Sequence, residues 1–195
     1  MSVNDLGINP SAPTADWDDY AEASSGFELP DEGEYTFKAK TPILLKKEAD
    51  GGDVKPTADG SNAGVRIDPV FLDGAAKGKQ LKFQRVWTNV YKSGKRAGKA
   101  SSAGDFLKAT GYNGKPGNVG QTVEAVVSSQ GKEFKARMAW NADHQVCGFK
   151  LSGQNNFPID DKGKRLQKVK CGCPGATPNY VYAQANLFFV PKAKG

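Results

Sequence analysis

GEYTFKAK, residues 33–40, decides the fold of this chain. Apolar and polar side chains alternate along it, and a period of two residues indicates a β-strand with one buried face. Tyr35, Phe37 and Ala39 are therefore predicted to point into a core, while the two lysines of the stretch lie on the outer face. The pattern predicts a sheet that is buried on one side and positively charged on the other.

Further elements follow the polar, Gly-rich loop at 48–60. Val65-Arg66-Ile67-Asp68 predicts a second strand, and residues 79–91 predict a long third strand with a bend near Arg85, where the apolar phase changes. Ser101 to Gly111 predicts a short helix with a Ser cap and a Gly stop. Two further strands are predicted at 122–128 and 133–140, and a last one at 180–190. Three strands, one helix and two strands are the order of an OB-fold, a five-stranded Greek-key barrel, so the predicted class is all-β with a short helix.

The charge of the chain is unevenly distributed. Residues 1–34 contain nine carboxylates and no Lys or Arg, so residues 35–195 hold all 27 basic residues against 12 acidic ones. A body with a net charge of +15 attracts polyanions, and nucleic acid is the first candidate. The acidic head has two interpretations: it occupies the basic surface when no ligand is bound, or it packs as an ordinary docked segment through Trp17 and Tyr20.

Length and composition limit the alternatives. A chain of 195 residues buries one core and a small appended module. We expect no membrane span, because no apolar run reaches about 18 residues, and no secretion signal, because the first residues lack a basic start and an apolar stretch. Three cysteines do not suggest a disulfide framework, so we expect a cytoplasmic protein.

Three short stretches resemble bacteriophage single-stranded DNA-binding proteins of the OB-fold type. They are Leu29-Pro30-Asp31-Glu32-Gly33-Glu34-Tyr35-Thr36, Gly78-Lys79-Gln80-Leu81-Lys82-Phe83 and the helix Ser102 to Gly111. The resemblance implies an OB-fold that coats single strands without base specificity during viral replication or recombination, in the host-cell cytoplasm. It also implies viral replication or recombination proteins as partners. The match covers about residues 27–140, and the acidic tail common in such proteins is replaced here by an acidic head.

Non-specific binding of single strands needs cations for phosphates and flat rings for bases. Outer faces of the predicted strands and the basic loop that follows the third strand supply both. The candidate residues are Lys38, Lys40, Arg66, Lys82, Arg85, Trp87, Tyr91, Lys92, Lys95, Arg96, Lys99, Lys135 and Arg137. Each strand lysine also fits a merely solubilising surface, and each ring also fits ordinary core packing.

All three cysteines and the only histidine lie within thirty residues. His144 and Cys147 form one pair, and Cys171 and Cys173 form a second pair. Four nitrogen and sulfur ligands in two short pairs are typical of a closed tetrahedral zinc site, with the layout of a zinc ribbon. The second pair is one residue shorter than the usual spacing. We predict a structural zinc that orders an extension of the barrel.

The chain is thus predicted to contain four segments and no catalytic residues. The segments are an acidic, flexible head (1–30), an OB-fold nucleic-acid-binding core (31–140), a zinc-ribbon-like extension (141–178), and a returning strand with a basic tail (179–195). Two other functions stay open. One is a structural or partner-binding viral protein whose basic face meets an acidic protein. The other is a metal-dependent nuclease or recombination enzyme using carboxylates such as Asp68 and Asp73.

Overall fold

The computed structural model describes residues 28–88, 102–144, 147–173 and 179–192. The acidic head before residue 28 and the basic stretch 89–101 lie outside these ranges. The strands are β1 (Gly33–Lys38), β2 (Val54–Pro56), β3 (Ala63–Arg66), β4 (Val70–Phe71), β5 (Arg85–Trp87), β6 (Glu133–His144), β7 (Phe149–Ser152), β8 (Lys168–Lys170), β9 (Tyr180–Tyr182) and β10 (Gln184–Val190). The α-helices are α1 (Ser102–Ala109) and α2 (Val119–Ser128), and short 3-10 helices occur at Glu48–Asp50 and Gln154–Asn156.

β6 is the central strand of the main sheet. Its 12 residues alternate between exposed and buried side chains over most of its length, which is the period of a strand with one face in the core. β1 pairs with one edge of β6, with Phe37 opposite Phe134, and β10 pairs with the other edge. All these pairings are antiparallel, and the sheet continues from β1 to β4 in the order β10-β6-β1-β4.

A second sheet has the order β2-β3-β5 and is also antiparallel. The main sheet curls into a half-barrel, and α1 lies against β10, β5 and β6 while α2 packs on α1 and β3. The part of the chain that the structure describes is therefore mostly β with two short α-helices. None of the helices in the described part of the chain is long and apolar enough to cross a membrane.

Phenylalanine rings fill the core between the main sheet and α1. Phe37 lies 4.6 Å from Phe71 and 5.6 Å from Phe134, measured between ring centroids. Phe106 of α1 contacts Phe134 at 5.2 Å and Phe189 of β10 at 5.5 Å. These stacked, tilted and edge-on pairs connect five elements of the fold.

The strand predicted at 122–128 is wrong, because this stretch belongs to α2. Val123 and Val126 are three residues apart and both buried, which fits one face of a helix. Asn118 caps the helix, since its side chain accepts a hydrogen bond from the Gln121 backbone N–H at 2.9 Å. The β-branched residues of this stretch favoured a strand, but the cap and the buried face favour the helix.

The prediction of one long strand at 79–91 is also wrong for most of the residues that the structure describes there, 79–88. Only Arg85–Trp87 is a strand, and Leu81 is buried while Phe83 is 76% exposed. Phe83 has a positive φ of 62°, which reverses the chain in a tight turn. Asp68 holds this turn by accepting a hydrogen bond from the Gln84 N–H at 3.0 Å.

Three other element predictions are confirmed. β1 occupies the predicted first strand, α1 matches the predicted helix, and the predicted strand at 180–190 is present as β9 and β10. β10 pairs along β6, so the last strand completes the main sheet from beyond the predicted core.

Residues 29–32, which immediately precede β1, join the core to the extension. A Glu32 carboxylate oxygen accepts hydrogen bonds from the backbone N–H groups of Trp140 (2.7 Å) and Gln154 (2.9 Å). The Gln167 side chain exchanges two hydrogen bonds with the backbone of Leu29, at 2.9 and 2.8 Å. The extension is therefore fixed to the sheet on this side as well as through β6.

Phe37→Ala tests the core. Removing this fully buried ring should lower the free energy of unfolding by about 3–5 kcal/mol. The substitution leaves a cavity in the core and removes both buried apolar surface and ring contacts. Urea unfolding followed by circular dichroism measures the change. Phe188→Ala is the matched control: this ring is 54% exposed, so its removal should change stability by less than about 0.5 kcal/mol. Equal effects in both variants would contradict this packing.

Candidate functional site

The two predicted ligand pairs meet in one cluster. His144 Nδ1 lies 3.2 Å from Cys147 Sγ, 3.4 Å from Cys171 Sγ and 3.1 Å from Cys173 Sγ. All four candidate ligand atoms lie within 4.8 Å of one another. A tetrahedral centre with bonds of about 2.0 Å to nitrogen and 2.3 Å to sulfur has N–S edges of about 3.5 Å. The cluster therefore has the size of a four-coordinate metal site.

Strand ends hold the cluster in place. His144 is the last residue of β6, and Cys147 lies in the turn between β6 and β7. Cys171 directly follows β8, and its backbone N–H donates to the Asn179 carbonyl at 2.9 Å. The site thus links the main sheet to the β8–β9 pair, which also packs against β6 and contributes the buried Val181 to the core.

The electrostatics of the cluster favour a bound cation. Burial acts to raise the pKa of the Cys147 thiol, but hydrogen bonds with His144, Cys173 and the Phe149 backbone outweigh burial and lower that pKa to about 7. Burial and hydrogen bonds with Cys147 and Cys171 raise the pKa of Cys173 to about 12. One thiolate is therefore favoured near neutral pH, and a metal that binds all three sulfurs must release the remaining protons.

No other group of three or more His, Cys, Asp or Glu side chains in the described ranges is arranged to hold a metal. Asp68 and Asp73, the carboxylates that a nuclease would use, both accept hydrogen bonds within the fold. Asp68 binds the Arg66 guanidinium at 2.8 Å, and Asp73 accepts from the Thr36 N–H at 3.0 Å.

The predicted cations of the main sheet share its outer face. Lys38 of β1 and Lys135 and Arg137 of β6 are exposed, and the register places Arg137 beside Phe188 of β10. Lys135 lies 3.6 Å from Glu34, and both side chains are more than half exposed. Such a pair contributes little to stability, so its lysine remains available to another anion.

Three other predicted cations are paired with carboxylates. Lys40 binds Asp53 at 2.5 Å, and Arg66 binds Asp68. Arg85 binds Glu48 through Nη2, while its buried Nε has no hydrogen-bond partner among the described residues. Arg66 and Arg85 are cross-strand neighbours on β3 and β5, so they form one basic spot on the second sheet.

Trp87 lies on the same outer face as this spot. It is paired with Gly64 of β3, and a Cβ at Gly64 would lie 2.2 Å from Arg85 Cδ and 3.1 Å from Trp87 Cδ2. A larger residue at this position would displace the arginine stem, because the stem and the indole ring cover Gly64. The half-buried ring lies against the sheet, with the exposed Lys55 of β2 as the other neighbour of Gly64.

A cleft of about 220 Å³ separates the two groups of cations. Its walls are formed by Ile67, Gln84, Arg85, Ser102 and the β10 residues Asn186–Phe189. Phe188 lines the cleft from the main sheet, and Phe83 precedes Gln84 on the other side.

Sequence reasoning missed both exposed phenylalanines. Phe188 stands in an apolar run, LFFV (187–190), in which both faces of the strand are apolar. Phe83 is directed outward by a turn that contacts distant in sequence define: the Asp68 carboxylate accepts from the Gln84 N–H, and the Gln84 carbonyl accepts from the Ile67 N–H. The Arg66 guanidinium lies 5.7 Å from the Phe83 ring centroid. The neighbouring Lys82 is exposed as well.

Five predicted residues lie outside the described ranges: Tyr91, Lys92, Lys95, Arg96 and Lys99. The residues on either side of this stretch are held together, because Ser102 Oγ accepts a hydrogen bond from the Trp87 N–H at 2.7 Å. Ser102 is also part of the cleft wall. Two described residues that flank the stretch in sequence, Trp87 and Ser102, therefore lie together at the cleft wall.

Comparison with protein-family models, with curated proteins and with solved structures finds no match for this chain. The functional interpretation depends on the geometry of the site.

Cys171→Ser tests the metal cluster. The purified protein should contain one metal ion per chain by elemental analysis, and this substitution should abolish it because three ligands no longer form a closed site. Asp143→Asn is the matched control: Asp143 precedes His144 and is an exposed oxygen donor 3.9 Å from Lys150, so this variant should keep the metal. A wild-type protein that is purified without metal, and whose protease resistance does not change when metal is added or chelated, would contradict the site.

Proposed function

We propose that this protein binds single-stranded DNA without sequence preference, using the cleft and the two basic faces beside it. The observation that carries the proposal is the combination of two exposed rings, one half-buried ring and several cations on and beside the two sheets that border the cleft. Phe83, Trp87 and Phe188 offer rings, and Arg66, Arg85 and Arg137 lie next to them. Rings that stack on any base together with cations that follow phosphates are what sequence-tolerant binding of single strands requires.

The pairing order of the strands supports an OB-type barrel as the scaffold. β1 pairs with β4 on one side and with β6 on the other, β6 pairs with β10, and β3 pairs with β5. If β3 and β4 are taken as one bent strand, this is the OB order, with β10 as the fifth strand. The cleft then lies where the fifth strand faces the third, so the barrel is open at the proposed binding groove.

Arg85 is the cation best placed to contact a phosphate inside the cleft. Its buried Nε lacks a partner among the described residues, and its Nη2 is held by Glu48, which is about one third exposed. A buried donor without a partner costs free energy, and a phosphate oxygen would satisfy it. Lys38, Lys135 and Arg137 would then continue the basic path along the main sheet.

The metal is proposed to be zinc with a structural role. Three thiolates and one imidazole form the donor set that tetrahedral zinc prefers, and four protein ligands leave no open position for a substrate. His144, Cys147, Cys171 and Cys173 would hold it. Zinc would order the extension at 141–178 as a ribbon-like module.

The proposed biological setting follows from the resemblance seen in the sequence. Coating of single strands during viral replication or recombination in the host cytoplasm fits a cleft bordered by cations and rings. Replication and recombination proteins are the partners that this setting implies, and the acidic head is a candidate for either partner contact or occupation of the groove.

Phe83→Leu and Phe188→Leu test the proposed stacking. Each change removes a ring but keeps an apolar side chain, and each should weaken binding of a fluorescent oligonucleotide by about 1–3 kcal/mol if a base stacks there. Ile159→Ala is the matched control, because Ile159 is an exposed apolar residue away from the cleft walls. Wild-type affinity in both phenylalanine variants would remove these rings from the site.

The basic stretch outside the described ranges has its own test. Changing Lys92, Lys95, Arg96 and Lys99 to Ala should flatten the dependence of log affinity on log salt, by about 0.7 for each phosphate that the variant no longer neutralises. Titrations at several salt concentrations measure the slope. An unchanged slope in a folded variant would show that these four residues do not bind phosphates.

A further inference from the structure

The β8–β9 pair carries a second set of rings and cations, separate from the cleft. Lys168 is opposite Tyr182, and Lys170 is opposite Tyr180. Side chains of directly opposed residues lie on the same face of a ribbon, so all four project from one side. The other side carries Val169 and Val181, and Val181 is buried. Tyr180 is 40% exposed, so the polar side of the ribbon faces solvent.

Lys168 lies close to both tyrosines. Its ammonium nitrogen is 4.5 Å from the Tyr180 ring centroid and 5.6 Å from that of Tyr182, within the range of cation–π attraction. The two rings are two residues apart on one strand, a separation of about 6.8 Å along the backbone. The ribbon thus presents two rings in a row with a positive charge beside them.

The surrounding extension is basic. Residues 147–173 contain six Lys or Arg and two acidic residues, Asp160 and Asp161. Asp160 accepts hydrogen bonds from the backbone N–H groups of Lys162 and Lys164, so it is engaged within its own turn. Lys150 and Lys164 also pair with Asp143 and Glu28, at exposed positions. A segment with this excess of positive charge attracts a polyanion.

The metal cluster fixes the end of the ribbon. Cys171 directly follows Lys170, and its hydrogen bond to the Asn179 carbonyl aligns the start of β9 with the end of β8. A metal bound by Cys171 and Cys173 would tie this end to His144 of β6. A bound metal would therefore stabilise the pairing of β8 with β9, which places the two lysines beside the two tyrosines.

We propose that this face of the β8–β9 ribbon is a second binding surface for single-stranded DNA, held in shape by the metal centre. Tyr180 and Tyr182 stack on bases, and Lys168 and Lys170 contact phosphates. The inference rests on the proposed function of the cleft and extends it. Single-stranded DNA is favoured over an acidic protein because the cations alternate with rings across the strand pair, whereas an acidic partner requires only the charge. A strand long enough to reach both surfaces gains affinity from the second through effective concentration.

The test compares full-length, metal-loaded wild type with the double variant Tyr180→Leu/Tyr182→Leu. Affinity is measured for oligothymidylates of about eight and about thirty nucleotides, since one OB-fold covers about 4–16 nucleotides. The double variant should bind the long strand at least about fivefold more weakly for each base that no longer stacks. Tyr180→Phe/Tyr182→Phe, which keeps both rings, should retain wild-type affinity. Metal content and circular dichroism confirm that the variants are folded.

Photo-crosslinking gives a second measurement that needs no variant. A long strand containing 5-iododeoxyuridine should crosslink to Tyr180 or Tyr182 of the wild type, and removal of the metal by a chelator should reduce the yield at these two residues. The crosslinked peptide is identified by mass spectrometry.

The outcomes separate this inference from the proposed function. Wild type that binds no single strand overturns both. Binding that is weakened by Phe83→Leu and Phe188→Leu but unchanged in the Tyr→Leu variant, with no crosslink to the ribbon, overturns the second surface alone. A third outcome is that Lys168→Ala/Lys170→Ala weakens binding while Tyr180→Leu/Tyr182→Leu has no effect. The ribbon then contributes only its charge, and the proposed stacking is overturned as well.

Discussion

The pairing of β6 along both edges is the constraint on which the rest of the structure depends. β6 positions β1 and the phenylalanine core on one side and β10 with its exposed Phe188 on the other, and its last residue is a candidate metal ligand. A shift of one residue in its register would turn every side chain of the strand to the opposite face. Phe134 and Met138 would leave the core, and His144 would leave the cluster. The core and the metal site therefore specify the same register.

Carboxylates hold several of the proposed binding cations in position. Asp53 and Asp68 are both buried, and they bind Lys40 and Arg66 at the edge of the second sheet. These pairs keep long side chains in defined conformations, which lowers the conformational entropy cost of binding a phosphate. They also compete with that phosphate. The exposed cations of the main sheet, with at most weak pairing, are better suited to capture a strand first.

Local patterns were enough to predict some parts of the molecule. The alternation at 33–40 predicted β1, and the spacing of His144, Cys147, Cys171 and Cys173 predicted that these residues meet. The valine-rich stretch 122–128 was predicted as a strand because β-branched residues are common in strands. It is a helix, and the side chain of Asn118 caps the start of that helix.

Features that depend on tertiary contacts could not be read from the sequence. Phe83 points outward because Asp68, fifteen residues earlier, holds the following residue. Tyr180 and Tyr182 share a face with Lys168 and Lys170 only because β8 and β9 pair across a connection that contains two cysteines. Phe188 and Phe189 are adjacent in the chain, and the register of β10 on β6 determines which of them faces solvent.

The central claim is that this fold prefers single-stranded over double-stranded DNA because stacking requires unpaired bases. Equilibrium titration of the full-length protein with a labelled single strand and with a duplex of equal length, in the absence of added divalent metal, tests it most directly. The account predicts tighter binding to the single strand at every salt concentration, with both affinities falling as salt rises, since stacking is retained only for the single strand. Equal or tighter binding to the duplex, or no binding to either, would contradict it.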